Sequence, residues 1–151
     1  FNQPLDAWNV SSVTTFASMF SGADAFNQTL NGWDSTMISV QTMKSMFSQA
    51  ESFTADLSGW TFSQATGPIS MESLFQGSSQ DNQKAPDPVG IENWDVSKVN
   101  NLNYFARDNA RLDVDLSGWE PDCANNASIL PAPGVTFAEA ITPPNWGGSC
   151  S

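Results

Sequence analysis

The chain of 151 residues carries 16 acidic against 5 basic side chains, giving a formal net charge of −11, and it has no histidine. So acidic a chain repels polyanions, because affinity for nucleic acid comes from Lys and Arg neutralising phosphates; an anionic membrane surface is excluded on the same ground. A hydrophobic fraction of 40%, with six Trp and ten Phe, excludes a disordered acidic tail.

Only 14% of the residues are charged, so Asn, Gln, Ser and Thr are expected to cover the surface, a neutral polar coat suited to an extracellular setting. No apolar run approaches the roughly 20 residues a membrane span needs, and no basic-then-apolar leader is present. The chain opens on Phe1, and a signal peptide and further repeats are expected upstream of it.

Internal repetition dominates the chain from its first residue. Phe1-Asn2-Gln3-Pro4-Leu5-Asp6-Ala7-Trp8 returns as Phe26-Asn27-Gln28-Thr29-Leu30-Asn31-Gly32-Trp33 and, more loosely, ahead of Trp60, Trp94 and Trp119. The tryptophans Trp8, Trp33, Trp60, Trp94 and Trp119 are 25, 27, 34 and 25 residues apart, and Leu5, Leu30, Leu57, Ile91 and Leu116 each sit three residues before one. The units run near 1–25, 26–52, 53–90, 91–111 and, in part, 112–119. The long third step carries an insertion at 77–88 whose Gly, Ser, Asn and Pro content reads as a surface loop.

After each Trp a second pattern follows. Val13, Phe16, Met19 and Phe20 fall at i, i+3, i+6 and i+7, as do Val40, Met43, Met46 and Phe47. That spacing predicts one face of a short helix, while Leu-x-x-Trp-x-Val predicts an extended segment. No such unit buries its apolar face alone, so the units are expected to stack as an α/β repeat solenoid of short strands and short helices. Its core ladder would be the five Trp, the five Leu or Ile, and Phe20, Phe47, Phe75 and Phe105. The competing use of the Trp row is an exposed sugar-binding platform.

The pattern F-N-x-x-L-x-x-W-x-V-S-x-V-x-x-F/M-x-x-M-F resembles the tandem repeat of mycoplasma-type surface lipoproteins and BspA-like proteins. Residues 1–52 match it closely, 53–76 and 91–119 more loosely, and 120–151 not at all. The resemblance implies a leucine-rich-repeat-like solenoid at a cell surface, concerned with adhesion or surface coating. It supplies no catalytic residues to carry over.

From residue 120 onward Pro, Gly and Asn replace the repeat, and 120–151 is expected to be an irregular cap over the end of the apolar ladder. Cys123 and Cys150, the two cysteines of the chain, are expected to close it as a disulfide stabilising by about 3 kcal/mol. The alternatives are free thiols or a metal pair, although zinc takes about four ligands. Three Asn-x-Ser/Thr sequons stand at Asn9, Asn27 and Asn126. As a glycoprotein the chain would carry sugar best on Asn126, since Asn9 and Asn27 belong to the repeat and have turn backbone to bond.

Without histidine, Ser–His–Asp and Cys–His catalysis have no base, and no phosphate-cradling glycine loop is present. Asp113, Asp115, Glu120 and Asp122 read as solvated acids. Calcium is the alternative for them, taking about six to eight oxygens. No enzyme and no resident cofactor are expected. The expected function is that of a structural module in a larger cell-surface or filamentous assembly, with copies of itself or other surface and filament proteins as partners. The alternative is an adhesion module for a host or matrix protein or a glycan.

Overall fold

A computed structural model describes residues 1–78, 80–81 and 84–119. Four regular elements occur in it: a 3-10 helix at Asn31–Thr36, strand β1 at Ile69–Ser70, a 3-10 helix at Ile91–Asn93, and strand β2 at Val99–Asn101. The two strands pair in parallel as a two-stranded sheet. The α/β leucine-rich-repeat-like solenoid expected from the sequence is therefore corrected: no α-helix forms among the described residues, and strand is confined to five residues, two in β1 and three in β2.

The reason lies in where the backbone N–H groups go. An α-helix bonds each N–H four residues back within its own segment. In the stretch expected to be helical, Met19, Ser21 and Ala23 donate three residues back, to Phe16, Ser18 and Phe20. The alternate residues Phe16, Ser18, Phe20 and Gly22 donate instead to the carbonyls of Thr42, Lys44, Met46 and Ser48 in the next unit. Residues 43, 45, 47 and 49 repeat this toward 70, 72, 74 and 76. The result is a row of consecutive turns with every second N–H turned sideways.

Such a row needs left-handed residues at fixed places. Ser18, Ser45, Ser73 and Tyr104 all have φ between 54° and 57°, a region that non-glycine side chains occupy at a cost. The cross-unit bonds on either side hold them there. The Leu-x-x-Trp segments are likewise corrected from extended to turned, because each Trp N–H bonds the Leu or Ile carbonyl three residues back, as from Trp8 to Leu5 at 2.9 Å.

The core lies between the turn rows and the Leu-x-x-Trp turns. Leu5, Leu30, Leu57, Ile91, Leu116, Phe20, Phe47, Phe75 and Phe105 are buried, together with Trp33, Trp60, Trp94 and Trp119. Rings meet across units: Phe26 stacks on Phe53 at 6.0 Å, Phe20 on Phe47 at 5.5 Å, and Trp60 on Trp94 at 5.8 Å. Trp8, expected in the ladder, is not in the core; it is 55% exposed.

The insertion at 77–88 is fastened to the body where it is described. Asp87 N–H donates to the Phe53 carbonyl at 2.8 Å, and Ala85 is fully buried. The expected cap 120–151, with Cys123, Cys150, Glu120, Asp122 and Asn126, lies outside the described residues. Among the described residues no helix is long and apolar enough to cross a membrane.

Candidate binding face

Four of the five Leu or Ile carbonyls, those of Leu5, Leu30, Leu57 and Ile91, accept twice. Leu5 O takes the N–H of Trp8 and, at 2.8 Å, the indole Nε1–H of Trp33. Leu30, Leu57 and Ile91 take the indoles of Trp60, Trp94 and Trp119 in the same way, at 2.9, 2.9 and 3.1 Å. Both lone pairs of a buried carbonyl are thus used, and the one polar atom of each ring is satisfied inside the core. This bond fixes the Trp rings in the interior, so four of the five are unavailable as a sugar platform.

One polar row at the surface is uncharged and recurs from unit to unit. Thr15, Thr42 and Ser70 are joined by parallel bridges, and Ser70 pairs with Asn101. Thr15 and Thr42 each accept a backbone N–H two residues on, from Ala17 and Lys44 at 3.1 Å, and Asn101 accepts that of Asn103 at 2.9 Å. These local bonds orient the polar side chains of the row. Beside it Lys44 pairs with Glu72 at 2.8 Å.

A groove of about 340 Å³ opens next to this row, lined by Ser39, Val40, Gln41, Thr66, Gly67, Pro68 and Asn100. It arises from a missing residue. Val13 to Phe16, Val40 to Met43 and Val99 to Leu102 are steps of three, whereas Ile69 to Met71 is a step of two. The third unit is one residue short there, and β2 bulges opposite β1: Ile69 pairs with Val99 and Ser70 with Asn101, so Asn100 has no partner in the ladder. Its side-chain Oδ1 is buried, and no donor among the described residues reaches it. A buried acceptor left so costs about 1–3 kcal/mol.

A second polar cluster fastens the insertion. Asn109, 1% exposed, donates from Nδ2 to the carbonyls of Phe75 and Pro86 at 2.9 and 2.8 Å. Its Oδ1 accepts from the N–H groups of Arg111 and Leu112, both at 3.0 Å. Arg111 Nη1 donates to the carbonyls of Glu51 and Ala85. Burial pushes the Asp87 carboxyl above its ordinary value, against the opposing pull of Arg111 and with a further push from Asp113.

The sequence-derived candidates fall as follows. Asn27 spends its amide between units: Oδ1 accepts from Thr54 N–H at 2.9 Å, and Nδ2 donates to Thr54 Oγ1 at 3.1 Å. Asn9 is exposed, and its Oδ1 accepts from Ser11 N–H at 3.0 Å. Of the acids considered for calcium, Asp113 and Asp115 are described. Asp115 Oδ1 is taken by Ser117 N–H at 2.9 Å, and the Ser117 hydroxyl and N–H hold its carboxyl below the ordinary value. Among the described residues no three His, Cys, Asp or Glu gather as metal ligands. Sequence reasoning missed the groove, Asn100 and the Asn109 clasp. The short Ile69-Ser70-Met71 step was the available signal for the first two.

The family model described as Mycoplasma protein of unknown function, DUF285, matches residues 1–88 and 70–146. No curated protein and no solved structure matches the chain.

Proposed function

We propose that this chain, which belongs to the DUF285 family of Mycoplasma-type proteins, works as a non-catalytic module of a larger extracellular or cell-surface assembly. Within that family we place it with BspA-like surface proteins, on the F-N-x-x-L-x-x-W pattern of its first two units. Its partners are copies of itself or other surface and filament proteins.

One observation carries the reading: the row Thr15, Thr42, Ser70, Asn101, one uncharged polar residue from each of four units, joined in register by backbone pairing. A row of hydroxyls and amides at unit spacing meets a like row with many weak, repeated hydrogen bonds, and it does so without the desolvation cost of charge. The indole N–H groups of Trp33, Trp60, Trp94 and Trp119 are spent inside the core, which leaves this polar row for contact. Negative-stain electron microscopy with light scattering on the full-length protein from its source tests the proposal. Ordered filaments, sheets or defined oligomers are expected; a monodisperse monomer at all accessible concentrations would overturn it.

A further inference from the structure

Asn9 and Asn27 are the sequon asparagines among the described residues, and their amides are used differently. Asn27 spends both ends between units, Oδ1 accepting from Thr54 N–H and Nδ2 donating to Thr54 Oγ1. Asn9 is exposed, and only its oxygen is engaged, by Ser11 N–H at 3.0 Å. Its Nδ2 donates to no group among the described residues. The turn it closes is fixed from the other side, where Ser39 Oγ donates to the Ser11 carbonyl at 2.9 Å.

The fourth unit shows what this turn needs. Trp94-Asp95-Val96-Ser97 repeats Trp8-Asn9-Val10-Ser11 with one change, and Asp95 Oδ1 accepts Ser97 N–H at the same 3.0 Å. Val10 and Val96 are both buried behind the turn. A carboxylate, which has no N–H to donate, thus closes the turn as an amide does, and the nitrogen of Asn9 has no structural duty. Asp95 is exposed although Trp60 and Trp119 stack on either side of its neighbour Trp94. The position therefore stays open when units stack.

We propose that Asn9 is a glycosylation site, carrying an oligosaccharide on Nδ2 through an N-acetylhexosamine, and that Asn27 is not. Asn-x-Ser/Thr is the acceptor signature of secreted chains. In the transfer Nδ2 bonds to the anomeric carbon of a diphospholipid-linked oligosaccharide. The bond from that carbon to the phosphate oxygen breaks, its electron pair leaves with the lipid diphosphate, and one Nδ2 proton is released. At Asn9 the product breaks no bond of the fold, because Oδ1 keeps Ser11 N–H. At Asn27 it would replace the bond to Thr54 and set a sugar between the second and third units. The proposal rests on the extracellular placement and stands whether or not copies of the chain assemble.

Intact source cells are labelled with a membrane-impermeant biotin ester, and the full-length protein is purified for peptide mass spectrometry of each sequon. Hexosamine is expected on Asn9 in most copies and on Asn27 in few. Surface-labelled protein with Asn9 bare would overturn this proposal and leave the extracellular reading standing, whereas protein that escapes the biotin would overturn both. Occupancy of Asn27 equal to that of Asn9 would also overturn it. Asn9→Asp, made in the same cells, separates the acceptor from the turn. It is expected to lose the mass of one glycan and, after enzymatic deglycosylation of both proteins, to melt with the parent, while Asn27→Asp melts lower. An unchanged glycan mass would contradict the proposal, and so would a lower melting temperature for Asn9→Asp, which would give the Asn9 nitrogen a structural duty.

Discussion

Trp60 and Trp8 occupy the same place in the repeat and differ in what surrounds them. Trp60 is fully buried and donates its indole N–H to Leu30, while Trp8 is 55% exposed. Trp60→Phe therefore removes a core hydrogen bond and leaves a small void, at a cost of about 1–3 kcal/mol. Trp8→Phe is expected to stay within about 0.5 kcal/mol of the parent, as exposed substitutions do. Urea unfolding of the two variants measures the difference; equal midpoints would contradict the packing described. Charge at single residues gives a second expectation. The Ser58, Ser97 and Ser117 hydroxyls and N–H groups hold Asp56, Asp95 and Asp115 below the ordinary value of 3.8. In acid the unfolded chain takes up these protons first, so their contribution is complete above 3.8 and is lost as pH falls from there through the lowered values. Asp87, raised by burial, has the opposite sign: its ionisation opposes folding as pH rises through its raised value. Denaturant melts from pH 2 to 7 should show stability climbing out of acid, and Asp87→Asn should increase stability at the upper end relative to the lower. A profile that falls from pH 2 to 4 would contradict the Asp–Ser turns.

At the scale of elements, the insertion and the turn rows teach different things about the sequence. The insertion's Gly, Ser and Pro announced a surface loop, yet its second half is clasped by Asn109 and Arg111, which lie beyond the following Trp in sequence. That contact is non-local and left no local pattern to read. Asn109→Ala removes two donated and two accepted bonds at a site 1% exposed. It should cost about 2–4 kcal/mol and make 77–88 the first site of limited proteolysis. Cleavage elsewhere first would count against the clasp. For the turn rows, the apolar positions were legible, since Val40, Met43, Met46 and Phe47 recur in phase and are all buried. The element type was not. Spacings of three and four satisfy a helix face equally well as a chain of i-to-i+3 turns, and only the neighbouring unit decides between them by taking alternate N–H groups. The groove was legible only as a missing residue at Ile69-Ser70-Met71, because a bulge is defined by the partner strand.

At the scale of the molecule, three sets of contacts run between neighbouring units among the described residues: turn-row backbone bonds, indole-to-carbonyl bonds and ring stacks. Among the described residues these contacts between neighbouring units keep the outward polar groups of the row at unit spacing, as a repeated contact surface requires. The proposed assembly places the row Thr15, Thr42, Ser70, Asn101 at the contact. Hydrogen exchange read by mass spectrometry on the full-length protein, first dilute and then at a concentration where it scatters as larger particles, tests that claim most directly. The account expects added protection on association at segments 14–18, 41–45, 70–73 and 101–104. Association with protection confined to other segments, or with no change in these four, would contradict it.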